Sequence, residues 1–293
     1  MNAARLRALL KCGDILVMPC CYDALSAKLI QSAGFPLTFM SGFSTSAALL
    51  GLPDTGQASY TDFVQVGRNI CSVVKIPVIG DGDTGFGNTI SLKRTVKGYA
   101  AAGFAAIMLE DQVSPKRCGH VAGKQIVGRE EAAARIRAAV DARNELEDSD
   151  ILILARTDAR IESFDEAIAR CQMFADLGAD ITFLEAPESE AEMERYCQLV
   201  PGYKLANMLE HGKTPILDHK RLQEMGYSIA AYPLTLLSAS IKAQLDVLQS
   251  IKEGGTGHLD KILPFEEVKR HVGFPEYFEE EKRYAVPGPP KAS

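Results

Sequence analysis

Eight short apolar runs, none alternating with polar residues, recur along this chain and constrain its fold more than any other feature. They cover residues 16–19, 37–41, 77–80, 105–109, 151–155, 181–184, 204–208 and 228–231. A strand that is apolar on both faces must be covered on both faces, which is the mark of a parallel sheet wrapped in helices. Segments with helical periodicity lie between the runs, at 60–74, 90–102, 129–146, 164–177, 190–199 and 216–225. Ser163 with Glu166, and Ser189 with Glu192, predict capping boxes, because hydroxyl and carboxylate can each satisfy a free backbone N–H at a helix start. Gly178, Gly226 and the Gly254-Gly255 pair stand where helices should stop. Eight strand–helix repeats is the number that closes a (β/α)8 TIM barrel, an α/β fold. The rival is an open doubly wound sheet, but no Gly-x-Gly-x-x-Gly follows the first run. The expected organisation is one barrel domain over residues 1–293, opened by an N-terminal helix, with 236–252 as the last barrel helix. A charged helical tail is expected at 265–284, with Gly273-Phe274-Pro275 inside it. A completed barrel leaves such a tail no place, so packing on a neighbouring subunit is expected.

Composition enters by exclusion. Lys and Arg number 32 against 38 Asp and Glu, a net charge of −6, which is the wrong sign for a partner held by phosphate contacts; no nucleic acid partner is expected. No run of about 18 apolar residues occurs, so no membrane partner is expected. Arg7 and Lys11 interrupt the N-terminal apolar run, which therefore reads as an amphipathic helix, not a signal peptide, and the expected location is cytoplasmic. Seven cysteines without regular spacing form neither a disulfide framework nor a Cys-x-x-Cys pair.

In a barrel, chemistry sits where strands end and the following loops begin. Those positions are unusually ionic here: Ser41-Gly42, Asp81-Gly82-Asp83, Glu110-Asp111, Arg156-Thr157-Asp158, Glu185 and Asn207. Asp81 and Asp83 are two apart and share a face. With Glu110 on the next strand and Asp54 in the loop after the second, they suit Mg²⁺, which takes one or two carboxylates and keeps several waters. Helix capping is the competing reading for any one of these acids. Gly82, Gly85 and Gly87 lack the Gly-Lys-Ser/Thr ending of a phosphate loop. The connection 111–128 far exceeds the usual ~2 to 6 residues and reads as a lid. It carries Lys116-Arg117-Cys118-Gly119-His120, and the positive charges of Lys116, Arg117, His120 and Lys124 predict a depressed pKa and an accessible thiolate at Cys118. A plain surface cysteine is the alternative; zinc is not expected, for want of a second Cys/His pair. Cys20 and Cys21 read as core and pocket wall. Arg156 offers a planar fork for a substrate carboxylate, with a salt bridge to Glu185 or Asp158 as the alternative.

Taken in order, Ser41-Gly42, Asp81-Gly82-Asp83-Thr84-Gly85-Phe86-Gly87, Glu110-Asp111-Gln112 and Lys116-Arg117-Cys118-Gly119-His120 resemble the isocitrate lyase and phosphoenolpyruvate mutase superfamily, over about residues 10–285. The resemblance implies a (β/α)8 barrel whose last helix is swapped between subunits, in homotetramers built as dimers of dimers. It implies Mg²⁺, or Mn²⁺, on Asp83 directly and on Asp54, Asp81 and Glu110 through water. The Cys-containing loop points to the carbon–carbon lyases, since phosphoenolpyruvate mutases carry an Asn-containing loop. The chain lacks the insertions of full isocitrate lyases. It reads Val121-Ala122-Gly123-Lys124 where methylisocitrate lyases usually carry Arg-Pro-Asn-Lys, which favours an acid smaller than a tricarboxylate. The branch that remains holds 2,3-dimethylmalate lyase, similar 2-alkylmalate lyases including the petal death protein, and oxaloacetate acetylhydrolase. Pro233 stands where the hydrolase is expected to carry a serine.

The implied reaction breaks the C2–C3 bond of a 2-hydroxy dicarboxylate, giving a 2-oxo acid and an enolate-like carboxylate that Cys118 protonates. By the same resemblance Arg156, His120 and Asn207 hold the distal carboxylate and Glu185 orients them. Backbone N–H groups at Ser41 and Gly42 receive the C1 carboxylate, and Gly119 and Pro233 line the substrate. The alternatives are oxaloacetate acetylhydrolase giving oxalate and acetate, methylisocitrate lyase, phosphonate mutase and, in a different class, a non-catalytic barrel that binds a small acid.

Overall fold

Every apolar run becomes a strand. In the computed structural model the chain runs α1 (Asn2–Lys11), β1 (Leu16–Cys21), α2 (Ala24–Ser32), β2 (Thr38–Met40), α3 (Gly42–Leu50), α4 (Tyr60–Val73), β3 (Val78–Asp81), α5 (Thr89–Ala102), β4 (Ala106–Glu110), α6 (Arg129–Asn144), β5 (Leu152–Thr157), α7 (Phe164–Asp176), β6 (Ile181–Leu184), α8 (Glu190–Leu199), β7 (Tyr203–Asn207), α9 (His219–Met225), β8 (Ile229–Tyr232), α10 (Thr235–Lys252), α11 (Phe265–Val272) and α12 (Phe274–Arg283). The structure describes residues 2–120, 123–148 and 150–285. Met1, Val121 and Ala122, which the readings above include, lie outside the described residues, as do 286–293. No helix among the described residues is long and apolar enough to cross a membrane.

The eight strands pair in parallel in sequence order, and β1 pairs with β8 to close the barrel. Alternate residues of each strand divide cleanly between two environments, as a period of two requires. Met18, Cys20, Phe39, Ile79, Met108, Leu154, Phe183, Leu205 and Ala231 pack together in one buried cluster, which Leu6 and Leu10 of α1 join. The residues between them, such as Cys21, Met40, Ile107, Ile153 and Ala155, pack in a second buried cluster with α4, α5 and α6.

The helix starts show where local signals compete. Ser163 and Ser189 accept from the Glu166 and Glu192 N–H groups, as expected, but the returning half of each capping box is not made. The Glu166 carboxylate pairs instead with Arg129 and Arg170, and that of Glu192 with Arg160 and with the N–H of Glu188, one residue ahead of the cap. Complete boxes form instead at Asp23/Ser26 and Ser59/Asp62. The helix expected from 216 starts at His219, behind the N-cap Asp218.

Two compact units divide the chain, Met1–Ala239 and Ser240–Ser293. The first contains every strand. The boundary falls inside α10, ahead of residue 265. In the second unit the expected helical tail is two helices, α11 and α12, which part at Gly273 because it adopts φ 99°, a left-handed turn that ends a helix. None of α10, α11 and α12 buries a residue. Ile241, Leu245, Leu248 and Ile251 make an exposed apolar row on α10, and Phe265, Val272 and Tyr277 are exposed beyond it.

Candidate active site

The inward columns of the barrel place the chemistry. Asp81 follows Ile79, Glu110 follows Met108, Arg156 follows Leu154, Glu185 follows Phe183 and Asn207 follows Leu205, each two residues on and therefore on the same face. Above the apolar cluster they surround a cavity with about 630 Å³ of empty space, its mouth included. Of the residues expected from sequence, Ser41, Asp54, Asp81, Cys118, Gly119, His120, Arg156, Glu185, Asn207 and Pro233 line it. Gly42, Asp83 and Glu110 stand directly behind that wall: the Gly42 N–H donates to Asp81 Oδ2 at 3.1 Å, Asp83 pairs with Lys116 and Glu110 with Arg156.

One end of the cavity is acidic. Asp81 Oδ1 accepts from the Asp83 N–H at 3.0 Å, and Asp83 itself sits at φ 47°. Lys116 Nζ lies 2.6 Å from Asp54 Oδ1 and 2.9 Å from Asp83 Oδ1. Burial pushes the Asp83 carboxyl up to about 7 despite Lys116, and Asp81 and Asp54 beside it add to the rise. Burial raises Asp81 likewise, and Glu110 well above the usual range. Burial works against the Lys116 charge too, but Asp83, Asp81, Asp54 and Glu110 outweigh it and hold the ammonium firmly protonated. Lys116 and, at the Glu110 edge, Arg156 thus face four carboxylates, and Glu110 Oε1 is buried without a hydrogen bond. More positive charge is what this cluster lacks. Among the described residues no three His, Cys, Asp or Glu side chains converge closely enough to hold an ion between them. What fits is the donor chemistry: carboxylate oxygens, with Asp83 Oδ1 and Glu110 Oε1 buried and lacking hydrogen bonds, suit a hard divalent cation held by one or two carboxylates with water completing its shell.

The opposite end is organised by Arg156, and here the sequence reading needs correction. The bidentate fork is not open to substrate: Nε donates to Asp158 Oδ2 at 2.8 Å and Nη2 to Oδ1 at 3.0 Å. Glu185 Oε2 lies 3.2 Å from Nη1, so every guanidinium nitrogen of Arg156 already faces a carboxylate. Glu185 gathers three partners, as expected of an orienting group. Besides Arg156, Asn207 Nδ2 donates to Oε1 at 3.3 Å, and His120 Nε2 lies 2.9 Å from the same oxygen in a bent contact. His120 Nδ1 accepts from the Lys213 N–H, which puts the ring proton on Nε2. Burial opposes the charge on Glu185, but Arg156 and His120 keep its carboxyl far below the ordinary range. Behind Arg156, Asp111 accepts from Thr157 Oγ1 at 2.6 Å, from the Asp158 N–H at 2.9 Å and from Arg170 Nη1 at 3.0 Å.

Cys118 is the second correction. Its thiol is pushed up, not down: burial dominates, and Asp54 and Glu185 add to it, against a hydrogen bond from the His120 backbone and the charge of Arg156. The loop charges that promised a thiolate are engaged elsewhere, Lys116 by Asp54 and Asp83, and Lys124 by Asp158 at 2.6 Å. Nor is the 111–128 connection wholly without structure. Gln112 and Ile126 form an antiparallel bridge, and the Gln112 amide brackets the backbone of Arg117. Gly119 leaves no room for a side chain in this seating, because a Cβ there would lie 2.5 Å from Arg156 Nη2 and 2.7 Å from Glu185 Cδ. A third correction concerns the amides expected to receive a carboxylate. The Ser41 N–H donates to Cys21 O at 3.0 Å and that of Gly42 to Asp81, so both are engaged within the chain.

Sequence reasoning missed Lys116 as the centre of the acidic cluster; the salt bridges of Arg156 to Asp158 and Glu185, given there as the alternative, are the ones the structure makes. It also missed the apolar wall of Phe39, Phe43, Phe183, Leu205, Leu209 and Leu234. The two-residue columns could have found Phe39, Phe183 and Leu205. Nothing local joins Lys116 to Asp54.

Residues 6–252 match the family described as phosphoenolpyruvate phosphomutase. The chain is 42% identical over 288 residues to 2,3-dimethylmalate lyase of Eubacterium barkeri, covering 97% of this chain and 99% of that one. A structure of oxaloacetate acetylhydrolase in complex with the inhibitor 3,3-difluorooxalacetate superposes with a TM-score of 0.92 at 33% identity, covering 97% of each chain. A crystal structure of phosphonopyruvate hydrolase in complex with oxalate and Mg²⁺ gives a TM-score of 0.84 at 29% identity, covering 97% of this chain and 99% of that one.

Proposed function

The chain belongs to the phosphoenolpyruvate phosphomutase family, within the isocitrate lyase and phosphoenolpyruvate mutase superfamily, as a carbon–carbon lyase, and from that premise we propose that it cleaves a 2-hydroxy dicarboxylate of the 2-alkylmalate or 2,3-dimethylmalate type. The products are a 2-oxo acid and a carboxylate. The observation that carries this reading is the Cys118 thiol, held at the cavity wall and kept protonated by burial. A base takes the proton of the C2 hydroxyl, the C2–C3 bond breaks as the C2 carbonyl forms, and the electron pair left on C3 takes the proton of the neutral thiol, which becomes a thiolate; phosphoryl migration needs no such proton.

The remaining side chains divide the work. Asp83, with Asp54, Asp81 and Glu110 through water, would hold a divalent cation, which supplies charge stabilisation where negative charge develops on the C2 oxygen. Arg156, His120 through Nε2–H and Asn207 hold the distal carboxylate, and Glu185 keeps all three aimed. The wall of Phe39, Phe43, Leu209 and Leu234 covers the alkyl substituents and keeps water from the carbanion. Pro233 offers no hydroxyl to a hydrated ketone, which favours cleavage over the hydrolase reaction. The exposed apolar row of α10, with Phe265, Val272 and Tyr277 beyond it, supports assembly with further copies of this chain in a homotetramer, because isolated helices with such faces do not stay solvated.

The test is a substrate panel with Mg²⁺: 2,3-dimethylmalate, 2-methylmalate, oxaloacetate, methylisocitrate and phosphonopyruvate. Release of a 2-oxo acid from an alkylmalate is expected. Turnover of phosphonopyruvate alone would remove the lyase reading, and oxalate from oxaloacetate alone would replace it with the hydrolase.

A further inference from the structure

Asp158 lies just past the end of β5, fully buried, and it holds two cations of different origin. Arg156, from the strand, donates to both its oxygens. Lys124, from the far side of the 111–128 connection, donates to Oδ1 at 2.6 Å with its side chain only 4% exposed. Lys124 continues a spacing of four: Lys116 is ion-paired with Asp54 and Asp83, His120 meets Glu185, and Lys124 meets Asp158. The first two reach the cavity wall, through Asp54 and Glu185. The third does not, since neither Lys124 nor Asp158 reaches it.

We infer that Asp158 and Lys124 are positioning residues, a buried clasp that seats the Cys118 segment against Arg156 and fixes Arg156 in turn. Asp158 itself is held from behind, its N–H on Asp111 Oδ1 at 2.9 Å, so the clasp closes on a rigid strand end and not on another loop. Both cations share Oδ1, so losing either one changes the field on the other. Gly119 lies so close to Arg156 and Glu185 that an added Cβ would clash with both, so lifting the segment opens that packing beside the adjoining Cys118. A buried ion pair is costly to half-remove, because the remaining partner keeps its desolvated charge. The clasp is therefore expected to act as a unit, and its two members to be non-additive when changed together.

This inference rests on the lyase reading only for its kinetic consequence; the seating of Cys118 is measured without substrate. The experiment is the rate of iodoacetamide alkylation of Cys118 in the intact resting protein, for wild type, Lys124→Met, Asp158→Asn, the double variant and Lys124→Arg, with circular dichroism confirming that each is folded. Cys118→Ser supplies the blank for the other cysteines. Lys124→Met should raise the rate at least about tenfold by freeing the segment. The double variant should rise no further than the faster single one, and Lys124→Arg should restore the slow rate. A rate unchanged in Lys124→Met, or single effects that add in the double variant, would overturn the clasp. If Asp158→Asn does not fold, the Lys124→Met and Lys124→Arg pair decides alone. In turnover, Lys124→Met should lower kcat more than it raises KM, because the proton donor is misplaced while the carboxylate contacts remain. A fast-alkylating Lys124→Met beside a wild type that cleaves no alkylmalate would support the clasp and refute the activity. Normal cleavage with slow alkylation in Lys124→Met would do the reverse.

Discussion

Adding one methyl group at Gly119 tests whether the Cys118 segment works in the seated position. The new Cβ of Gly119→Ala would stand 2.5 Å from Arg156 Nη2, where ordinary contact begins at 3.4 Å, so the two groups must separate by about 0.9 Å. Arg156 cannot retreat, since Asp158 holds it by two hydrogen bonds. The separation therefore falls on the segment, and Cys118 moves with it. A displacement of about 1 Å in a positioned group costs about 10² in rate, or roughly 2.7 kcal/mol of activation free energy. Because the segment yields and the barrel does not, stability should change by less than about 1 kcal/mol. The assay is steady-state kcat/KM for alkylmalate cleavage beside a thermal unfolding scan. Full activity in Gly119→Ala would refute the argument, showing that the working segment does not rest on Arg156. Activity lost together with several degrees of melting temperature would locate the damage in the core instead.

Cys118→Ser should bind substrate with unchanged affinity and lose about 10² to 10⁴ in kcat, since a hydroxyl is a far poorer acid; binding by calorimetry and turnover by 2-oxo acid release separate the two. Chelation with EDTA should abolish turnover and added Mg²⁺ or Mn²⁺ restore it; unaltered rates in chelator would take the cation out of the chemistry. Asp111→Ala should destabilise by about 3 kcal/mol or more in denaturant unfolding, because it strands the buried Arg170 guanidinium and two further donors; a cost under about 1 kcal/mol would show that Glu166 and Val127 O suffice for Arg170. The hydrogen bond from Arg129, with Arg170 adding to it, lowers the Glu166 carboxyl to about 2 against burial. A carboxyl depressed on folding stabilises fully above its ordinary value, so this contribution should disappear between about pH 4.5 and 2. Glu166→Gln should flatten that part of the stability curve, and a curve of wild-type steepness would assign the loss to other acids.

The barrel was legible because its signal is repeated: eight apolar runs at strand length leave few alternatives. Helices α2 and α3 were less so. α3 reads Gly-Phe-Ser-Thr-Ser-Ala-Ala-Leu-Leu, a composition that suits a loop, and buries Ser44, Thr45 and Ser46 where periodicity looks for apolar residues. In the site, the identity of the strand-end residues was legible and their pairing was not. Arg156 shows as a fork in any sequence, but Asp158 closes that fork only once β5 fixes both side chains. The sign of the charge around Cys118 could be counted; its neutralisation by Asp54, Asp83 and Asp158 depends on contacts spanning up to 62 residues.

The two-residue columns of the barrel also set how such a protein can change. Ile79, Met108, Leu154, Phe183 and Leu205 hold the lower storey of the same columns whose upper storey is Asp81, Glu110, Arg156, Glu185 and Asn207. A substitution upstairs can therefore alter the chemistry while the foundation stays filled. Deleting a single residue of β5 ahead of Arg156 would instead bring Thr157 into the place of Arg156 at the axis and turn the guanidinium toward the helices. Point changes and loop exchanges are thus the open routes to new specificity in this scaffold, and length changes inside its strands are closed.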